Sequence, residues 1–268
     1  MKNVLTIAGS DSCGGAGIQA DLKTMSACGV YGMSVITAIT AQNSKGVFAV
    51  QEIELDIIKR QFEVLYEDIR IDAIKIGMLS SSEISETVYS FLKETTIDNI
   101  ILDPVMVSKS GYFLLKEEAI SNLKKLISIS KLVTPNIPEA EILSEMKINN
   151  ENDMIEAGLR IKKMGAKNVL IKGGHRTDNC TDILINENSS IIKFYGERIS
   201  TINTHGTGCS LSSAITSFIS KGYSIEESIT KGKEFITLGI KNSFSIGEGV
   251  GPIGHFIELY KKAGVEYE

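Results

Sequence analysis

The sequence predicts an α/β fold: a central, mainly parallel sheet between helices on both faces, a three-layer sandwich. Short β-branched runs alternate with amphipathic segments almost from end to end. Polar, often glycine-rich clusters follow most of those runs, which is where open α/β sheets bind ligands. No composition break, internal repeat or low-complexity stretch marks a linker, so residues 1–268 are expected to form one domain.

The elements follow in order. Val4–Ala8 reads as the first buried strand, and Gly17–Ala27 behind it spaces its apolar residues as a helix does. Strands at Ser34–Thr40, Ala73–Ile76, Asn99–Asp103, Leu132–Thr134 and Val169–Lys172 are near-continuous apolar runs, the mark of a parallel sheet covered on both faces. Between them, Asp56–Glu67, Ser82–Lys93, Glu117–Ser128, Ile137–Glu145 and Asn152–Met164 carry helical spacing. Thr181–Ile185 and Ile191–Tyr195, split by a polar Asn-Glu-Asn-Ser-Ser run, predict a hairpin, and helices near 209–220 and 225–242 close the chain.

A chain of 268 residues, 43% hydrophobic and 23% charged, can build a full core. A net charge of −5 without any Lys/Arg block argues against nucleic acid or an anionic membrane as partner. Small anions stay open, because a local backbone nest can hold them whatever the global charge. The apolar run after Met1-Lys2-Asn3 is too short for a signal peptide, and no run approaches the ~18 residues of a membrane span, so a cytoplasmic protein is expected. Cys13, Cys28, Cys180 and Cys209 form no Cys-x-x-Cys and read as free thiols, and three dispersed histidines imply no zinc site.

The most informative stretch is Asn203-Thr204-His205-Gly206-Thr207-Gly208-Cys209, which runs into an apolar-periodic helix. Unpaired N–H groups and the positive end of the helix dipole would hold an anion there, and the same field would favour a Cys209 thiolate. A turn capped by Thr204 or Thr207 around a small buried Cys accounts for the same residues. Gly9 through Gly17 opens the first helix like a phosphate loop, yet it matches neither standard nucleotide fingerprint. It is either a flexible connection or a flap that approaches a ligand closely.

Other residues have an ordinary reading beside a chemical one. Asp21, by periodicity, could be a solvated helical acid. Gln42 carries a donor and an acceptor in one plane, matching a ring nitrogen beside an amino group, or is a plain loop residue. Asp103 ends a strand and needs a cation or donors if buried. Asn136 and Glu139 form a complete helix cap by themselves, or else Glu139 holds a Mg²⁺-bound water. Lys172 would bring an ammonium to the sheet rim ahead of Gly173-Gly174-His175, whereas Lys233 reads as a surface charge. No Gly-x-Ser-x-Gly elbow supports acyl transfer.

Together, Thr6 to Asp11 with Gly14 to Thr24, Ala41-Gln42-Asn43, Lys75 to Leu79, Asp103 to Met106, Thr134 to Glu139, Lys172 to His175 and Thr204 to Cys209 resemble the ribokinase superfamily. Specifically, they resemble the hydroxymethylpyrimidine/phosphomethylpyrimidine kinases of thiamine biosynthesis. The resemblance implies a ribokinase-like sandwich, ATP and Mg²⁺, a homodimer, and two successive phosphorylations of an aminopyrimidine alcohol. It implies that Gly9, Asp21, Gln42, Met78, Val105 and Cys209 surround the pyrimidine. Asp103, Asn136 and Glu139 would manage Mg²⁺ and phosphates, Lys172, Thr204 and Lys233 would lie along the nucleotide, and Gly206, Thr207, Gly208 and Cys209 would form the anion hole. Cys209, standing where many superfamily members have an aspartate base, would help deprotonate the alcohol. The second acceptor, a phosphate monoester with a second pKa of about 6, needs no base. Two departures stand out: Cys13 in the flap, and a Gly249–Phe256 segment lacking a second polar residue. A pyridoxal kinase and a non-catalytic vitamin-precursor binding protein are the alternatives, with Gln42 arguing for the pyrimidine.

Overall fold

The computed structural model describes residues 1–106, 120–174 and 180–265. In chain order these form β1 (Asn3–Asp11), α1 (Gly17–Ala27), β2 (Tyr31–Asn43), β3 (Gly46–Glu52), α2 (Leu55–Asp68), β4 (Ala73–Ile76), α3 (Ser82–Leu92) and β5 (Ile100–Leu102). Then come α4 (Ile120–Ser128), β6 (Leu132–Val133), α5 (Ile137–Ser144), α6 (Glu151–Lys162), β7 (Asn168–Ile171), β8 (Asp182–Ile185), β9 (Ile191–Phe194), α7 (Thr207–Ser220), α8 (Ile225–Lys241) and α9 (Ile257–Ala263).

All nine strands hydrogen-bond into one sheet in the order β3-β2-β1-β4-β5-β6-β7-β8-β9. Pairings from β2 through β1 to β7 are parallel, and β3, β8 and β9 add antiparallel margins. Because side chains alternate across a sheet, each inner strand feeds two cores. Leu102, Val133, Val169 and Ile171 pack with residues of α2, α3, α5 and α6 on one face, including Phe62, Val88, Leu143 and Ile161. Ile101, Leu132, Leu170 and Leu184 pack on the other against Leu211, Ile215 and Ile229 of α7 and α8. The expected mainly parallel sheet between two helical layers is the fold observed.

The differences lie at the margins. β2 runs on to Asn43, so Gln42 sits at a strand end and not in a loop. β3 was not expected: all seven of its residues are partly or fully exposed on an edge strand, without a buried face to give the alternation of a half-buried strand. α9 is a seven-residue helix with one buried apolar residue, too short to register as periodic. Of the helix expected at Glu117–Ser128, the part before Ile120 lies outside the described residues, as does His175. No helix among the described residues is long and apolar enough to cross a membrane.

Candidate active site

The chain leaves β1 toward β2 on one side of the sheet and returns to build β4 to β7 on the other, so β1 and β4 flank a topological switch point. Such points open a crevice beyond the carboxyl ends of the strands. A cavity of about 800 Å³ lies there, and it gathers Gly9, Gln42, Met78, Asp103, Val105, Asn136, Glu139, Lys172, Thr204, Gly206, Thr207, Gly208, Cys209 and Lys233 from eight separate stretches of sequence. Asp21 is the one expected site residue that does not line it. A second concavity of about 860 Å³, beside Lys2, Asp72 and Lys221 at the opposite ends of the strands, collects none of them.

At Thr204–Cys209 neither threonine caps the helix. Gly206 is the N-cap of α7 at φ 77°, no side chain accepts from the first turn, and the Thr207 hydroxyl donates instead to Thr204 O at 2.8 Å. Thr207 N turns back to Thr204 O at 3.3 Å, and the amides that follow it in the first turn are left for a ligand. Glycine is required at 206, because a Cβ would lie 1.7 Å from Gly15 O as well as in a left-handed conformation. A Cβ at Gly208 would stand 3.5 Å from Lys172 Nζ, which places an ammonium beside the open helix end. Farther along α7, Ser210 bonds His255 Nε2 at 2.9 Å; burial pushes that imidazole down to about 4, so it is neutral at pH 7.

The floor of the cavity is an ion pair that the sequence reading missed. Lys75 and Asp21 are each 0% exposed, with Lys75 Nζ 3.0 and 2.9 Å from the two carboxylate oxygens. Thr6 and Ser213 donate their hydroxyls to the same carboxylate at 2.6 and 2.7 Å. Asp21 is therefore not solvated, and it does not line the cavity. It is consumed in holding Lys75, which does line the cavity. Burial alone would strip the Lys75 proton, but Asp21, with Cys209 and Asp103 beyond it, holds the ammonium above its ordinary value.

Cys209 corrects a second expectation. Burial pushes its thiol up to about 11, against the opposing pull of Lys75 and of the Gly17 N–H that donates to it. Desolvation of a thiolate outweighs the helix-terminal field, so the resting side chain is a neutral thiol and not the expected thiolate.

Asp103, 1% exposed, has its cation in Lys172, whose Nζ lies 2.8 Å from Oδ1. Thr134 donates to the same oxygen at 3.2 Å, and Ser212 donates to Oδ2 at 3.3 Å. Although burial opposes it, Lys172 and Lys75 keep this carboxyl below the usual range. Asn136 and Glu139 form the complete capping box: Asn136 N donates to Glu139 Oε2 at 2.8 Å and Glu139 N to Asn136 Oδ1 at 2.9 Å. Lys172 N bonds Pro135 O, which keeps the cap and the lysine in register. Burial, with Asp103 adding to it and Lys172 opposing, pushes Glu139 up to about 7. Two buried carboxylates sharing one ammonium are short of positive charge. With most of their oxygens already hydrogen-bonded, they fit a hydrated Mg²⁺ held through water. Lys233 is not a free surface charge: it pairs with Asp182, whose other oxygen accepts from Gly173 N at 2.8 Å.

The glycine flap is pinned. Asp11 accepts from Cys13 N, Gly15 N and Ala16 N at 2.8, 3.1 and 2.8 Å, and Lys23 Nζ holds Gly14 O at 2.7 Å. His205 Nε2 closes on Asp11 Oδ2 at 2.9 Å, and Gln42 reaches the same ring nitrogen at 3.3 Å. A register irregularity between Ala41 and Gln42 turns this side chain toward the cavity, a common use of a bulge beside a site. Asp11, Lys75, Asp182 and His205 all sit within or beside motifs quoted from the sequence, yet their roles depend on partners 51 to 194 residues away, which no local pattern reveals.

With this geometry in hand, the comparisons are specific. The phosphomethylpyrimidine kinase family profile matches residues 11–254. The chain is 44% identical over 261 residues to a hydroxymethylpyrimidine/phosphomethylpyrimidine kinase of Haemophilus influenzae, covering 96% of this chain and 97% of that one. A crystal structure of a Clostridium difficile phosphomethylpyrimidine kinase is 51% identical with a TM-score of 0.80, covering 88% of this chain and 98% of the other. A Bacillus subtilis pyridoxal kinase in complex with ADP is 40% identical with a TM-score of 0.89, covering 96% and 98%.

Proposed function

The chain belongs to the phosphomethylpyrimidine kinase family, and from that membership we propose which residues of the cleft carry its chemistry. It is a kinase of thiamine biosynthesis that phosphorylates 4-amino-5-hydroxymethyl-2-methylpyrimidine and then the monophosphate to the diphosphate. The observation carrying the reading is the convergence in one cavity of the uncapped start of α7, the Lys172–Asp103 pair and Gln42.

ATP is the phosphoryl donor, and a bound Mg²⁺ would supply charge neutralisation at its phosphates. Asp103, Asn136 and Glu139 hold the hydrated metal, and Lys233, Lys172 and Thr204 line the nucleotide. Gly206, Thr207, Gly208 and Cys209 present their amides to the transferring group, where fixed dipoles stabilise charge without reorganising. Gly9, Met78 and Val105 enclose the ring, and Gln42 reads its edge. Asp21 acts through Lys75, which brings positive charge under the acceptor oxygen. In the first step the hydroxymethyl group must lose a proton, and Cys209 is the acceptor once its own thiol has ionised. In the second step the attacking phosphate oxygen is already ionised, so positioning dominates.

One domain in the cytoplasm, acting on a small-molecule pyrimidine, suits a sequence without a Lys/Arg block and without a membrane-spanning helix among its described residues. A homodimer is proposed on the exposed apolar edge at Ile39 of β2 and Phe48 of β3, the latter 70% exposed. The test is ADP formation measured side by side with the pyrimidine alcohol, its monophosphate and pyridoxal. Turnover of both pyrimidines with kcat/KM well above that for pyridoxal is expected. A preference for pyridoxal, or binding without ADP, overturns the assignment.

A further inference from the structure

Three hydrogen-bond constraints meet at Gln42. Asp11 accepts from three backbone amides, and these with His205 hold its carboxyl below the usual range against burial. An ionised carboxylate has no hydrogen to give, so the 2.9 Å contact with His205 requires the hydrogen on Nε2 of the imidazole. The Gln42 amide is placed with Nε2 3.3 Å from that same nitrogen, so a donor faces a donor. Two N–H groups there would repel, so a half-turn puts the amide oxygen toward His205 and the imidazole N–H is shared between two acceptors.

The other end of the amide leads independently to the same orientation. Thr40 Oγ1 has one hydrogen, and it goes to Ser10 O at 2.9 Å. Gln42 Oε1 is placed 3.3 Å from Thr40 Oγ1, the longer of the hydroxyl's two contacts; with the hydrogen on Ser10 O, a half-turn that brings the amide NH₂ there restores a donor to this pair. Oxygen and nitrogen differ only by a half-turn of the terminal torsion, and both neighbours select the same half-turn. Each grip leaves one lone pair on the oxygen and one hydrogen on the nitrogen for a ligand. The open edge therefore reads, from His205 to Thr40, acceptor then donor.

We propose that His205, held by Asp11, is a specificity-positioning residue: it fixes the direction of the Gln42 amide and so selects a ring bearing an amino donor on the His205 side of a ring nitrogen. A ring with an ionised phenolic oxygen at that place would set oxygen against oxygen and be disfavoured by repulsion as well as by a missing bond. The inference rests on the reading that this cleft takes an aminopyrimidine.

Two measurements test it. In substrate-free protein labelled with ¹⁵N-histidine, His205 is expected to carry a hydrogen on Nε2, its signals identified by their loss in His205→Phe. An Nδ1–H tautomer overturns the inference without reference to any substrate. In kinetics, His205→Phe is expected to raise KM for the aminopyrimidine alcohol about tenfold, the scale of one hydrogen bond. KM for ATP and for pyridoxal should move less than about twofold, and His205→Gln, which restores an N–H, should recover part of the loss. Equal increases in all three KM values, or an unchanged pyrimidine-to-pyridoxal ratio, overturn it. If wild-type protein does not turn over the aminopyrimidine at all, the functional reading fails, while the tautomer still reports on the positioning.

Discussion

Removing either half of the Asp21–Lys75 pair should separate what stabilises the cleft from what works in it. Both side chains are 0% exposed, and Asp21 takes hydrogen bonds from Lys75, Thr6 and Ser213. Lys75→Met leaves a buried carboxylate with two hydroxyl donors and no cation; Asp21→Asn leaves a buried ammonium without a counter-charge. Breaking such a pair from one side costs about 3–5 kcal/mol, whereas replacing both charges together is often near neutral. At about 2–4 °C per kcal/mol for chains of this size, each single variant should lose roughly 6–20 °C in Tm. The double variant should recover most of that loss in urea and thermal unfolding. It should not recover activity, because the ammonium lining the cleft is still missing. Single variants within about 1 kcal/mol of wild type would refute the buried-pair argument. A double variant with wild-type kcat would refute a role for Lys75 in the reaction.

Two further predictions concern protonation. With the Cys209 thiol at about 11, alcohol phosphorylation should accelerate between pH 7 and 9 while monophosphate phosphorylation stays flat, since that acceptor ionises near pH 6. Cys209→Ala should abolish the slope, and equal slopes for both acceptors would remove Cys209 as proton acceptor. For Glu139, burial raises the folded-state value to about 7 from an ordinary 4.5, so ionisation opposes folding. The stability associated with its neutral form is complete below the unfolded value and is lost as pH rises through about 7. Glu139→Gln keeps an N3 residue able to complete the cap, so without metal its Tm relative to wild type should rise from pH 5 to pH 8. A constant difference would contradict the raised value.

The fold was legible wherever burial is symmetric. Ile74, Ile101, Leu132 and Leu170 sit in runs covered on both faces, so their sequences are apolar throughout and mark parallel strands directly. β3 escaped because an edge strand without a buried residue lacks the in–out alternation that marks a half-buried strand, although Val47–Val50 is apolar. At the site, motif residues such as Asp103, Lys172 and Gly206 were identifiable by type and place. The state of each was not: Asp21 read as solvated because its partner lies 54 residues on, and Cys209 read as a thiolate because the helix field is local while desolvation comes from tertiary packing. The Asn136–Glu139 box is the reverse case, a cap readable from four residues and formed as read.

A single cleft performing both phosphorylations is the central claim, and competition between the two acceptors tests it most directly. With ATP saturating, the pyrimidine monophosphate should inhibit phosphorylation of the alcohol competitively, with an inhibition constant equal to its own KM as a substrate. Additive turnover of the two acceptors, or inhibition that lowers kcat without raising KM, would place the two steps at separate sites and contradict the account.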